Sequence, residues 1–223
     1  VKNHPASKKL REYGKALLIE SKNKVGDLPT KNHQEVRFPE LDSISREALK
    51  HYVVGNRPCP GCDIECMKGL KTGTIYTESL GYEALWALGP RIGNSDLEYL
   101  IRLFERCLRE GVDPVGFGGI VSFAMECVQR GVIKGEEQLD WGNAGGIDHL
   151  LNDLIENSGL GGALRNGTRQ YYLIHPETKP YAMEVKGVEL SGQEPRQSQA
   201  FGLSLAVSNW GADWGYGLPT VDV

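Results

Sequence analysis

Apolar residues recur every three or four positions through most of the chain, a spacing that predicts a mainly α protein. Leu10, Tyr13, Leu17 and Leu18 mark one face of a helix over 6–21, and the polar, proline-containing stretch 22–40 reads as a loop. A short helix over 44–54 leads into a cluster of cysteines, and a compact apolar helix over 79–88 is halted by Gly89-Pro90. The next helix is the best marked. Leu97, Leu100, Ile101, Phe104 and Leu108 share a face, Ser95 with Glu98 forms a capping box, and Gly111 ends it. Ile120, Phe123, Ala124, Cys127 and Val128 repeat the pattern over 120–130, stopped by Gly131. Ile147, Leu150, Leu151, Leu154 and Ile155 repeat it over 147–158, stopped by Gly159. Residues 181–188 alternate and include β-branched side chains, which predicts a short strand or extended segment. A last helix over 197–208 carries Ala200, Gly202, Ser204 and Ala206, small enough to let a neighbour or ligand approach closely. The middle helices differ too much in residue pattern to be an internal repeat. The expectation is an irregular multi-helix bundle in two parts, a helical domain over 1–140 with the cysteines and a second helical domain over 141–223, incomplete at its C-terminus.

Composition adjusts this picture only slightly. Hydrophobic residues at 40% and charged residues at 24% suit a globular protein with a real core. A net charge of -4 provides no positive field, so nucleic acid is not an expected partner. The longest apolar run, 121–128, is broken by Ser122 and Glu126 and falls well short of the roughly 20 residues a membrane span needs, so no membrane span is expected. The chain opens Val1-Lys2-Asn3-His4-Pro5, with neither Met nor the apolar stretch of a signal peptide, and closes Leu218-Pro219-Thr220-Val221-Asp222-Val223 without a polar tail. The expectation is an internal piece of a longer, cytoplasmic polypeptide.

Five cysteines are an odd number and are not spaced as a disulfide framework. Three crowd into Arg57-Pro58-Cys59-Pro60-Gly61-Cys62-Asp63-Ile64-Glu65-Cys66, a C-x2-C-x3-C segment. Thiolates are soft ligands that suit iron–sulfur clusters, zinc and copper(I), and these gaps let one turn aim three sulfurs at a single centre. Pro58 and Pro60 stiffen the loop, and Gly61 relieves crowding. Spacing alone leaves two alternatives open, an iron–sulfur cluster and a structural zinc in a non-catalytic helical module, the latter with His51 or Asp63 as a fourth ligand. Cys107 and Cys127 fall on apolar helix faces and are expected to be buried core residues.

An ordered set of segments carries a resemblance. Leu28-Pro29-Thr30-Lys31-Asn32, the cysteine segment, Gly81-Tyr82-Glu83-Ala84-Leu85-Trp86-Ala87-Leu88-Gly89-Pro90 and Glu184-Val185-Lys186-Gly187-Val188-Glu189-Leu190 follow one another in this order. Val121-Ser122-Phe123-Ala124-Met125-Glu126 and Ala206-Val207-Ser208-Asn209-Trp210-Gly211-Ala212 belong to the same set. Together they resemble the second and third domains of the aldehyde ferredoxin oxidoreductase family. The resemblance implies tungsten, or molybdenum, held by two pterins beside one [4Fe–4S] cluster. It implies oxidation of an aldehyde with water to a carboxylate, with electrons passed through the cluster to ferredoxin or another carrier. It implies Cys59, Cys62 and Cys66 as three cluster ligands, with the fourth from beyond Val223, and Glu83 as a catalytic carboxylate near the metal. It implies Gly111, Val112 and Asp113 against a pterin, although Leu108 departs from the family's turn motif, D-x-x-G-L-[CD], where its first acid stands. A further departure is Asp213-Trp214-Gly215-Tyr216, where aldehyde-oxidising members often place a histidine; none of His4, His33, His51, His149 or His175 falls there. That departure leaves open a same-family enzyme that reduces an aromatic acyl-CoA or another acid derivative. The remaining part of the enzyme, or partner subunits, is expected to complete each cofactor site, so the chain alone is expected to be inactive.

Overall fold

The computed structural model describes residues 4–78, 80–213 and 215. The expected helix start at Ser79, Trp214 and Tyr216 of the departing stretch, and both chain ends, 1–3 and 217–223, lie outside these residues. The described part is mainly α, as the spacing predicts, with short strands in two small sheets.

The first expected helix is two. α1 (Pro5–Tyr13) and α2 (Leu18–Val25) are joined by a 3-10 turn, Gly14–Leu17, because Gly14 takes a left-handed φ of 71°. Ser45 caps α3 (Arg46–Lys50); of the rest of the expected 44–54 helix, Ile44 ends a 3-10 turn, 51–52 are a turn, and Val53 and Val54 begin a strand. That strand, β1 (Val53–Asn56), pairs antiparallel with β2 (Lys68–Thr72), and β2 pairs with β3 (Ile75–Glu78). Val53 faces Leu70, and Gly69 faces Glu78. The adjacent β-branched Val53 and Val54 are the local reason the helix does not continue.

α4 (Tyr82–Leu88) leads through a 3-10 turn, Pro90–Ile92, to α5 (Leu97–Glu110). Asp96, not Ser95, caps α5, its carboxylate accepting from the Tyr99 N–H at 3.0 Å. The Ser95/Glu98 capping box is therefore absent, and the Ser95 carbonyl accepts from the Ser43 hydroxyl instead. α6 (Pro114–Gln129) starts earlier than its apolar stripe because Asp113 caps it and Pro114 opens its first turn. α5 and α6 meet at 114°. α7 (Ala144–Glu156) ends at Asn157, which is itself left-handed, ahead of the expected stop at Gly159. α8 (Gly159–Leu164) and α9 (Thr168–Ile174) follow, both unpredicted. A two-stranded hairpin, β4 (Glu184–Val185) with β5 (Val188–Glu189), forms the expected extended segment, and α10 (Gln199–Val207) closes the described chain.

α4 and α6 cross at the centre of the core, where Leu85, Trp86, Leu88, Val121, Phe123 and Ala124 are wholly buried. Their approach depends on Gly118, since a Cβ there would stand 2.4 Å from the Ala87 carbonyl oxygen. Apolar packing runs from Ala16 to Tyr171, and Leu190, Phe201, Leu205 and Ala212 form a smaller cluster. Among the described residues no single helix is long and apolar enough to cross a membrane.

Candidate functional site

The cysteine segment is the connection between β1 and β2. The Cys62 N–H donates to the Cys59 carbonyl at 3.0 Å, closing a turn around Pro60 and Gly61. Gly61 has a φ of 72°, so proline followed by left-handed glycine occupies the positions a type II turn favours. The loop is tied at its base by Arg57 N–H to Met67 carbonyl, 2.9 Å, and at its side by Arg11 Nη2 to Asp63 carbonyl, 2.6 Å. Cys59 is exposed, and Cys62 and Cys66 are half-buried, so all three thiols are accessible to a ligand. Three thiols on one turn are the soft donor type that iron–sulfur clusters take. Among the described residues no three His, Cys, Asp or Glu side chains are grouped to hold a single metal ion. Tetrahedral zinc would need its sulfurs within about 4 Å of one another.

Cys107 and Cys127 are buried core residues, as their helix faces predict. Burial pushes both thiols up to about 12, a protonation state opposed to metal ligation. Neither is available as a fourth ligand without opening the core.

A second constellation lies inside the protein, where four of the segments that carry the resemblance meet: 28–32, 81–90, 121–126 and 184–190. Lys31, Asn32 and His33 are successive left-handed residues, with φ of 46°, 53° and 65°. Such a conformation costs about 1–2 kcal/mol for an ordinary L-residue, so tertiary contacts must hold the loop. Those contacts are Lys31 N–H to Pro90 carbonyl and Asn32 N–H to Arg91 carbonyl, both 3.0 Å. The Asn32 amide donates to Glu126 at 2.7 Å and to the Tyr181 carbonyl at 2.9 Å, and its oxygen accepts from Ser122 Oγ at 3.0 Å. Trp86 Nε1 donates to the Pro29 carbonyl at 2.6 Å.

Arg91 lies wholly buried at the middle of this network. Its Nε donates to Ser122 Oγ at 3.1 Å, its Nη1 donates to the Leu190 carbonyl at 2.7 Å, and its guanidinium stacks over the Trp86 ring. Burial lowers it to about 10, still charged at neutral pH. Glu189 stands 3.9 Å away, close enough for charge attraction but not for a hydrogen bond. Arg91 Nη2, Glu189 Oε2, Ser191 Oγ and His33 Nε2 are all buried without a hydrogen-bond partner. Buried polar atoms left without a partner, among them the Arg91 and Glu189 atoms that face each other, are features expected where a polar group is to be received.

Glu83 is in the first turn of α4. Its Oε2 accepts from the Gly192 N–H at 2.7 Å and its Oε1 from Gln193 Nε2 at 3.1 Å. Burial raises its carboxyl, while those two bonds and the charges of Lys22 and Arg91 oppose the rise. A carboxylate so held is fixed in orientation. Next to Gln193 in the chain, Glu194 faces His33 Nδ1 at 3.5 Å and accepts from Arg196 Nε at 2.8 Å. His33, Arg91 and Glu194 were not singled out by the sequence, and Glu126 and Glu189, although they stand in segments that carry the resemblance, were given no role there. The one hint is that charged or polar residues stand inside apolar runs, as Glu126 does.

Gly111, Val112 and Asp113 form the corner between α5 and α6. Gly111 is the left-handed C-cap of α5 with open space beside it, Val112 is half-buried, and Asp113 accepts from the Gly116 N–H at 2.6 Å. Capping alone accounts for Gly111 and Asp113, and among the described residues no hydrogen bond joins the corner to Glu83 or to the cysteine loop.

The sequence model of aldehyde ferredoxin oxidoreductase, domains 2 & 3, matches residues 1–220. The tungsten-containing aldehyde ferredoxin oxidoreductase of Pyrococcus furiosus is 35% identical over 213 residues, covering 91% of this chain and 34% of the relative. That of Thermococcus kodakarensis is 33% identical over 211 residues, with the same shares. The WOR-like subunit of aliphatic sulfonate oxidoreductase from Pyrococcus furiosus is 30% identical over 169 residues, 69% of this chain and 27% of its own. Among solved structures, the active site complex BamBC of benzoyl coenzyme A reductase with 1,5 dienoyl-CoA matches with a TM-score of 0.72. It covers 87% of this chain and 31% of that one at 17% identity, a likeness of fold. The chain spans about one third of the length of the curated relatives it matches.

Proposed function

The chain belongs to the aldehyde ferredoxin oxidoreductase family, and from that premise we propose that it supplies the cluster loop and one wall of the metal-pterin pocket of a tungsten or molybdenum oxidoreductase. The complete enzyme oxidises an aldehyde to a carboxylate and passes the electrons through a [4Fe–4S] cluster to ferredoxin or another carrier. The observation that carries the reading is the meeting of widely separated segments around one buried centre containing Glu83, Arg91 and Glu189. Burying polar atoms without a hydrogen bond is costly, and Arg91 Nη2 and Glu189 Oε2 are so buried at this centre.

In this reading Cys59, Cys62 and Cys66 hold three cluster irons, and the fourth ligand is neither Cys107 nor Cys127. Glu83 is the catalytic carboxylate. Held by Gly192 and Gln193, it orients the water whose oxygen is added to the substrate and takes up a proton from it. The Gly111–Asp113 corner is the backbone surface offered to a pterin. When bound, the metal-pterin group supplies two-electron exchange with the substrate, and the cluster supplies one-electron transfer onward. The buried walls exclude water from the reacting atoms, which strengthens the fields of Glu83 and Arg91. The remaining part of the enzyme, or partner subunits, completes each cofactor site.

A second reading, reduction of an aromatic acyl-CoA or other acid derivative by the same architecture, is favoured by Asp213-Trp214-Gly215-Tyr216 in place of a histidine-bearing stretch. Elemental analysis and substrate turnover of the anaerobically purified native enzyme test both. Tungsten or molybdenum with about four irons per protomer and aldehyde-dependent dye reduction support the first. The same metals with turnover only of an acid derivative favour the second. Zinc alone refutes both.

A further inference from the structure

The cysteine loop rests on two cations that the reading above does not use. Lys68 opens β2 two residues after Cys66 and is 9% exposed. Its Nζ donates to the Arg11 carbonyl on α1 and, at 2.7 Å, to Oδ1 of Asn56, the residue it faces across the β1–β2 pair. Asn56 Nδ2 donates in turn to Glu65 Oε2 at 3.1 Å. Arg11 approaches from α1, and its Nη2 donates at 2.6 Å to the carbonyl of Asp63, between Cys62 and Cys66. Arg11 Nε is buried and has no hydrogen-bond partner.

Backbone packing keeps both cations against the loop. A Cβ on Gly14 would stand 3.1 Å from the Cys66 carbonyl oxygen and 3.4 Å from Lys68 Cγ. The turn after α1 therefore closes directly on the chain between the last cysteine and the lysine. Burial works against the Lys68 charge, Glu65 and Cys66 attract it, and Arg11 repels it. Two mutually repelling cations under one loop call for negative charge nearby, and thiols supply it when they ligate as thiolates.

We propose that Lys68 and Arg11 set the reduction potential of the cluster held by Cys59, Cys62 and Cys66, their charge favouring its reduced form. The inference rests on the proposed function, which assigns a [4Fe–4S] cluster to that loop. Reduction adds one electron, and so one negative charge, to the cluster, with no bond made or broken. A cation held nearby stabilises the more negative state, and does so more strongly where little water screens it. Lys68 meets that condition because it is buried, and Arg11 is half-buried. Arg57 is on the same loop but exposed, its guanidinium over the Tyr76 ring, so water screens its charge. Removing either inner cation therefore makes the cluster harder to reduce, and removing Arg57 does not.

Redox titration of the native enzyme with dithionite, followed by the electron paramagnetic resonance of the reduced cluster, tests this. Lys68→Met and Arg11→Met are each expected to shift the midpoint to more negative potential with iron content unchanged, and Lys68→Arg to keep the wild-type midpoint. Arg57→Gln, which also removes one positive charge from the loop, is expected to shift it far less. An unchanged midpoint in Lys68→Met, or an equal shift in Arg57→Gln, would overturn the inference and leave the proposed function standing. Where Lys68→Met fails to fold, Arg11→Met decides by the same criterion. Native enzyme without iron would overturn both the inference and the proposed function.

Discussion

Replacing Glu194 by Gln isolates the electrostatics of the 192–194 strip that holds Glu83 and His33. The Glu194 carboxylate is buried and accepts from Arg196 through its side-chain Nε at 2.8 Å, its Nη2 at 2.7 Å and its backbone N–H at 3.0 Å. Burial by itself would raise the carboxyl. The Arg196 and His33 bonds overcome that rise and lower it from an ordinary 4.5 to about 2. A carboxyl depressed on folding contributes stability that is complete above its unfolded value and is lost as pH falls through its folded value. The window therefore runs from pH 4.5 down to about 2. A shift of that size has a ceiling of about 3 kcal/mol. The Arg196 side chain is 58% exposed, so solvent screens the pair, and about 1–2 kcal/mol is the expected effect. His33 adds a component of the same sign at higher pH. Its folded value lies below 6.5, so the unfolded chain takes up that proton first and stability begins to fall as pH drops through 6.5. Urea unfolding followed by circular dichroism from about pH 8 to about pH 2 measures the curve. Glu194→Gln should be less stable near neutrality by about 1–2 kcal/mol and should lose the lower limb. A variant curve parallel to that of the wild type through the lower window, or stability that rises on acidification, would refute the reasoning.

Three further outcomes follow from the geometry. Serine at Cys59, Cys62 or Cys66 should remove iron from the native enzyme and cost little stability, because the loop is at the surface, whereas Cys107→Ala should keep the iron; colorimetric iron analysis separates them. Glu83→Gln should lower kcat by about 10²–10⁴-fold with metal content intact, read by steady-state kinetics beside elemental analysis. Gly118→Ala should destabilise the protein by about 1–3 kcal/mol, seen as a lower denaturation midpoint, since its Cβ would meet the Ala87 carbonyl at 2.4 Å and part α4 from α6.

Much of the architecture was legible because apolar spacing is a local property. Leu97, Leu100, Ile101 and Phe104 place α5 within a residue or two, and Ala144–Glu156 follows as directly. The sheet around the cysteine loop was not legible. β1 and β2 are four and five residues long, and pairing between Val53 and Leu70 holds them, rather than an alternation visible in either alone. α8 escaped for another reason. Its sequence, Gly-Leu-Gly-Gly-Ala-Leu, is poor in helix formers, and glycines let it press against α7, where a Cβ on Gly161 would stand 2.3 Å from the Leu150 carbonyl.

Taken by itself, the order of residues determined what short-range chemistry can determine. It placed three cysteines on one stiff turn, a glutamate within an apolar helix, and glycines where helices end. Only the tertiary structure decided which distant groups share an environment. Asn32 reaches Tyr181 and His33 reaches Glu194, across 149 and 161 positions of chain, and no local pattern encodes either meeting. Protonation follows that decision, because desolvation and nearby charge depend on what surrounds a group in space. Burial pushes Cys107 up to about 12 and so keeps it from a metal, and three bonds from Arg196 with one from His33 hold Glu194 near 2 inside the same protein.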